Sequence, residues 1–159
     1  MKRTGVVFFV VLLAAAGFLR AQALTDAQKA DITKTLKDLT LQSFPLMERL
    51  DLEGLAKYYS RDKFIGYVFA GKQFTTFESM MAEWKRIFDT RKGHKMGMTD
   101  IQVRILGPEM ALVWANGPWS VIAKDDKIYN YLGSSIYLFV KEGETWKIAF
   151  TTSNSAFVK

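Results

Sequence analysis

The chain has 159 residues, with 22 Lys+Arg against 16 Asp+Glu, one histidine and no cysteine. Without cysteine there is no disulfide, no cysteine-ligated metal and no lipid-modified N-terminal cysteine. The formal charge of +6 is spread along the chain, with no Lys/Arg stripe to track a phosphate backbone, which argues against nucleic-acid binding.

Met1-Lys2-Arg3, an apolar run from Gly5 to Leu19 and Ala21-Gln22-Ala23 form the basic head, apolar middle and small-x-small site of a secretory signal peptide. The apolar run of about 15 residues falls short of the ~20 that a bilayer core requires. A cleaved leader is therefore expected rather than a stable membrane anchor, with the cut after Ala23 and a periplasmic or secreted destination. Losing residues 1–23 removes Lys2, Arg3 and Arg20 but no carboxylate, so Lys+Arg falls from 22 to 19 against 16 acids and the charge from +6 to +3. Residues 24–159 suffice for one domain that buries about two-thirds of its unfolded surface without staples.

Thr25 with Gln28 three residues on forms a capping box. Ile32, Leu36, Leu39, Met47 and Leu50 follow at helical spacing, and Pro45 should kink that helix by removing a backbone donor. Asp51 is an N-cap for a short second helix through Leu55 and Tyr58. Phe64 to Phe69 reads as a strand ended by Gly71. Thr75 with Glu78 is a second capping box, starting a helix whose Phe77, Met80, Met81, Trp84, Ile87 and Phe88 form one apolar stripe.

From Met98 the period changes to two. Ile101, Val103 and Ile105 alternate with polar residues before the Gly107-Pro108 turn. Met110 to Ala123 is the next strand, where Gly117-Pro118 predicts a bulge or edge. Asp125-Asp126 turns the chain into a strand from Lys127 to Lys141, and Glu142-Gly143-Glu144 leads into the closing strand. There Trp146, Ile148 and Phe150, continued by Thr152 and Asn154, alternate as one face, greasy at the start and polar at the end. Helices followed by antiparallel strands indicate an α+β fold with the helices on one sheet face.

Both faces of the Lys127–Lys141 strand are apolar: Tyr129, Tyr131, Tyr137 and Phe139 on one, Ile128, Leu132, Ile136 and Leu138 on the other. A sheet face left to water would carry polar residues at alternate positions. The helices cover one face, so a partner subunit is expected on the other, as a two-fold homodimer.

The element order resembles the nuclear transport factor 2-like superfamily, which includes SnoaL-like domains and ketosteroid isomerases. The resemblance is carried by Asp51-Leu-Glu-Gly-Leu-Ala-Lys-Tyr-Tyr-Ser-Arg-Asp-Lys-Phe64, by Thr75 to Arg91 and by Glu144 to Ser155. It implies a cone-shaped, curved antiparallel sheet wrapped around the N-terminal helices. It also provides slots for ketosteroid isomerase chemistry: a carboxylate base, an oxyanion-hole tyrosine and a protonated acid. The base slot falls near Gly66 or Tyr67, with no Asp or Glu between Asp62 and Glu78. The tyrosine slot falls near Ser43, and Ile128 to Val140 holds no carboxylate for the third role. Isomerase chemistry of that type is therefore not expected.

His94 is the single candidate general base, in Arg-Lys-Gly-His-Lys-Met-Gly, whose basic, glycine-bounded setting predicts an exposed loop. One histidine without cysteine offers no converging ligand set, so no metal and no cofactor are expected. No nucleophile elbow or phosphate-cradling glycine loop is present. Tyr58, Trp84, Trp114, Asn116, Trp119, Tyr131, Tyr137, Thr152 and Asn154 are the candidate ligand-binding residues. They combine apolar area with single hydrogen-bonding atoms, as small-molecule sites do. The expected function is binding of a small apolar or aromatic molecule. The alternatives are a lyase, isomerase or hydrolase using His94 or a Tyr/Asn-activated water, and an accessory domain with a filled core.

Overall fold

The computed structural model describes residues 24–158. The leader expected over residues 1–23 lies outside the described residues. Among those described, no helix is long and apolar enough to cross a membrane.

Helix α1 spans Asp26–Glu48 and starts at the expected capping box: Gln28 N–H donates to Thr25 Oγ1 at 3.2 Å and Thr25 N–H to Gln28 Oε1 at 2.9 Å. The helix continues through Pro45, which sits in its last turn, where only one interior hydrogen bond is forfeited. Leu36, Thr40 and Phe44 are its buried stripe. Buried Thr40 satisfies its hydroxyl by donating to Leu36 O at 2.8 Å. Helix α2 is Leu52–Ala56, with Asp51 Oδ1 accepting from Gly54 N–H at 2.8 Å.

Strands β1 (Gly66–Phe69) and β2 (Lys72–Phe74) form a hairpin through Ala70-Gly71, both at positive φ. Helix α3 spans Phe77–Phe88, and its capping box lies one residue later than expected, on Thr76 and Ser79. Glu78 is left in the first turn, where its charge complements the helix dipole. Phe77, Met80, Trp84, Ile87 and Phe88 are buried.

The remaining strands are β3 (Arg91–Met96), β4 (Asp100–Gly107), β5 (Met110–Ala123), β6 (Ile128–Glu142) and β7 (Thr145–Val158). The sheet order is β2-β1-β7-β6-β5-β3, with β4 also on β5. All pairs are antiparallel except β1 with β7, so the curved sheet is mixed rather than purely antiparallel.

Two strands share one edge of β5. β4 pairs with Met110–Asn116 and β3 with Trp119–Ala123. Gly117 and Pro118 fall at the junction, and β5 runs through them unbroken. Pro118 O accepts from Gly97 N–H at 2.9 Å, so the donor that proline lacks would have faced the gap between β3 and β4, where no ladder partner stands. Gly117 is needed there: a Cβ would meet Gly97 O at 2.7 Å and Met98 Cα at 2.8 Å.

Two β-bulges set which side chains face the helices. On β7, Leu138 pairs with Phe150 but Phe139 with Ile148, leaving Ala149 as an extra residue. An extra residue reverses the alternation beyond it. Trp146 and Ile148 face inward, as do Thr151, Ser153 and Ser155; Phe150, Thr152 and Asn154 take the opposite phase. The expected single face from Trp146 to Asn154 is thus split at Ala149. On β3, a register shift between Arg91 and Gly93 does the same around Lys92. The inner face carries Ala111, Val113, Ala115, Phe139 and Ile148 against Leu36, Phe44, Met80 and Trp84 of the helices.

Candidate functional site

The helices do not fill the concave face completely. A cavity of about 100 Å³ remains between α1, the segment after α2, α3, β3 and the sheet. Its body is aromatic. Trp84 from α3 receives Tyr59 edge-on at 5.3 Å and Tyr67 at 5.9 Å between ring centroids. Trp119 from β5 stacks on His94 at 5.7 Å on one side and on Tyr131 at 4.7 Å on the other. Gly133 makes that position possible for Trp119, because a Cβ there would lie 2.6 Å from the indole Nε1.

His94 is not in an exposed loop. It lies on β3, is 6% exposed and lines the cavity. β3 is held as a strand by pairing with the second half of β5, distant in sequence, a contact that local composition does not signal. The imidazole Nε2 is 3.1 Å from Arg91 Nη1. A guanidinium only donates, so Nε2 accepts and the proton of the neutral ring resides on Nδ1. Nδ1 is buried with no partner among the described residues. Burial, reinforced by the Arg91 charge, lowers the His94 pKa from 6.5 to about 4, so the ring is neutral at pH 7.

Three tyrosines in the wall stay protonated. Burial pushes the Tyr59 hydroxyl well above its usual range and also raises Tyr67 and Tyr137. Neutral hydroxyls supply the remaining polarity, including Ser135 and Ser153, whose oxygens are 2.9 Å apart across β6 and β7. Among the described residues no Asp or Glu lines the cavity. Among the described residues no group of three or more His, Cys, Asp or Glu converges as a metal site.

Of the residues expected to bind a ligand, Tyr58, Trp84, Trp119 and Tyr137 line the cavity, and Asn154 borders it although it takes the outward phase of β7. Tyr131 shares their face but stacks behind Trp119. Trp114, Asn116 and Thr152 do not line it. They belong to the cross-strand rows Trp114–Ile136–Thr152 and Asn116–Ser134 on the outer sheet face, and Asn116 Nδ2 donates to Asp100 there at 3.1 Å. Sequence reasoning missed Tyr59, Tyr67, Arg91, Ser135, Thr151 and Ser153. For the hydroxyls of β7 no local signal existed, because the bulge at Ala149 decides their side. For Arg91 the only cue was its place three residues before the single histidine.

Residues 37–154 match the model of the SnoaL-like domain. The chain belongs to the SnoaL-like family. Solved structures agree on the nuclear transport factor 2-like fold. A protein from Novosphingobium aromaticivorans, provisionally named a scytalone dehydratase, superposes with a TM-score of 0.73 at 12% identity, over 84% of this chain and 89% of that one. The hexachlorocyclohexane dehydrochlorinase LinA-type3 of Novosphingobium barchaimii gives 0.72 at 8% identity, over 84% and 93%. A nuclear transport factor 2-like superfamily protein from Salmonella enterica gives 0.69 at 11%, over 86% and 95%. No curated protein matches the sequence. This SnoaL-like chain therefore shares its α+β cone with enzymes and with proteins named only by fold, at identities that carry the fold alone.

Proposed function

We propose that this SnoaL-like domain is an exported small-molecule-binding protein that holds a compact, largely apolar molecule in the aromatic cavity without turning it over. The observation that supports binding over catalysis is the state of His94. Its accepting nitrogen is already engaged by Arg91 at 3.1 Å, its basicity is lowered to a pKa of about 4, and among the described residues no carboxylate lines the cavity to assist it. A general base works best with a pKa near the working pH and with its lone pair facing the substrate. The cavity is of the order of the roughly 150 Å³ void that accepts benzene, so a one-ring molecule suits it.

Native mass spectrometry of protein purified from its own compartment tests three parts of the proposal at once. A co-purified small molecule, a subunit mass lacking residues 1–23 and a two-subunit assembly are the expected results. An empty protein that binds nothing in a small-molecule screen would leave the accessory-domain alternative. The dimer would form through the outer sheet face, where Leu132 is 59% exposed and Leu112, Trp114, Ile136, Leu138 and Phe150 are only partly covered.

One observation favours a lyase as the second reading. His94 does border the cavity, and two of the similar folds are named as a dehydratase and a dehydrochlorinase. That reading requires the co-purified molecule to be consumed by the wild type and left intact by His94→Gln. Slow or absent turnover in both would dismiss it.

A further inference from the structure

Among the described residues Arg91 is the only charged residue in the cavity wall. Its presence there is a consequence of the β3 irregularity: with regular alternation from His94, position 92 would face inward and position 91 outward. The shift around Lys92 instead pairs Arg91 with Ala123 and His94 with Val121, two positions of the same β5 face. Bulges commonly re-aim a side chain next to a functional site. Lys92, turned outward, pairs with Asp126 at 2.6 Å.

The re-aimed guanidinium is left without a counter-charge. Among the described residues Arg91 forms no ion pair, whereas Arg86 on α3 is matched to Glu83 and Lys85 to Asp89. Its hydrogen bond with a side chain goes to a neutral imidazole, and burial disfavours its charge. A half-buried cation normally acquires an anion, because leaving it unmatched is costly. A guanidinium carries five N–H donors in a planar fork that fits a carboxylate through two parallel hydrogen bonds. One donor is turned to His94; others remain.

We infer that the cavity selects a compact monoanion: a one-ring or similarly small apolar body carrying one carboxylate, received by Arg91. The inference rests on the small-molecule-binding function proposed above. The rings of Trp84, Phe88 and Trp119 take the body, Arg91 takes the head, and among the described residues no Asp or Glu stands in the wall to repel it. The His94–Arg91 contact holds one end of the guanidinium, which reduces the ordering left to do when the anion arrives.

Titration calorimetry with benzoate and its neutral isostere benzamide, repeated with phenylacetate and phenylacetamide, tests this on the wild type, Arg91→Gln and Arg91→Lys. The expected result is a preference of about tenfold or more for the carboxylate in the wild type. Arg91→Gln should abolish the preference, and Arg91→Lys should keep part of it. Amides that bind as well as or better than the carboxylates overturn the anion assignment and leave ligand binding standing. A carboxylate preference that survives Arg91→Gln overturns the role of Arg91. If no member of either pair binds, the one-ring monoanion assignment falls, while the binding function stands or falls on the co-purified molecule and the small-molecule screen. Thermal melting reports whether each variant is folded, and the comparison of isosteres within the wild type decides the matter if Arg91→Gln is not.

Discussion

Arg91 Nη1 donates to His94 Nε2 at 3.1 Å, and the two residues face the same side of β3 only because of the irregularity around Lys92. The pair links the fold to the pH response of the protein. His94 has its pKa lowered from 6.5 to about 4 by burial and then by the Arg91 charge. The unfolded chain therefore binds a proton more readily than the folded one between these values. Stability contributed by the neutral ring is fully present above about pH 6.5 and is lost as the pH falls toward 4, by on the order of 2–3 kcal/mol. Urea midpoints measured from pH 7.5 to pH 4 should fall more steeply for the wild type than for His94→Gln. Parallel curves for the two proteins would show that His94 titrates normally in the folded state.

Gly133 and Trp119 offer a test of the cavity wall. A Cβ at Gly133 would lie 2.6 Å from Trp119 Nε1 and 3.0 Å from Cδ1, so Gly133→Ala must push the indole out of its stack with His94 and Tyr131. Overpacking of this kind costs about 1–3 kcal/mol. Gly107→Ala is the control, since nothing lies within 4 Å of its added methyl. Differential scanning calorimetry should show a lowered melting temperature for Gly133→Ala and little change for Gly107→Ala. Tryptophan emission should shift only in the former.

Ala149 explains why the fold was more legible than the site. Capping residues, the α3 stripe and the period-two strands are local signals, and Thr25, Asp51 and Trp84 occupy the roles they imply. The face of a strand residue beyond a bulge is not local. It depends on the extra residue that the partner strand leaves unpaired, here Ala149 opposite the step from Leu138 to Phe139. Counting by twos from Trp146 therefore put Thr152 on the cavity side and missed Thr151 and Ser153. The same effect hid Arg91, and pairing of β3 with distant β5 turned an apparent glycine-bounded loop around His94 into a buried strand.

Deleting Ala149 makes that account testable. Ile148 and Phe150 would then be consecutive and pair regularly with Phe139 and Leu138, so Phe150 and Thr152 stay outward and Thr151 and Ser153 stay inward. It would also remove the carbonyl that accepts from Ile65 N–H at 2.7 Å. The deletion should keep a cooperative transition in circular dichroism melts, lowered by the loss of that hydrogen bond. Ala149→Gly keeps the extra residue and should retain the transition, weakened by about 1 kcal/mol through the added backbone freedom. A deletion variant without cooperative unfolding would show that Ala149 does more than set the register of β7.

Leu132 tests the proposed dimer without disturbing the cavity. It lies on the outer face, 59% exposed, in the row that runs from Pro118 through Leu132 to Ala156. Its side chain contributes little to the monomer core, so Leu132→Glu should change monomer stability by no more than about 0.5 kcal/mol. In a two-fold interface the same substitution occurs twice at matching places, and each carboxylate would be desolvated against an apolar surface. Sedimentation velocity should therefore show a dimer for the wild type that becomes monomeric at the same concentration in Leu132→Glu, with binding of the small-molecule probes retained. A wild type that sediments as a monomer at high concentration would remove the partner from this face. The apolar residues Leu112, Trp114, Ile136 and Leu138 would then be a surface left partly open to solvent.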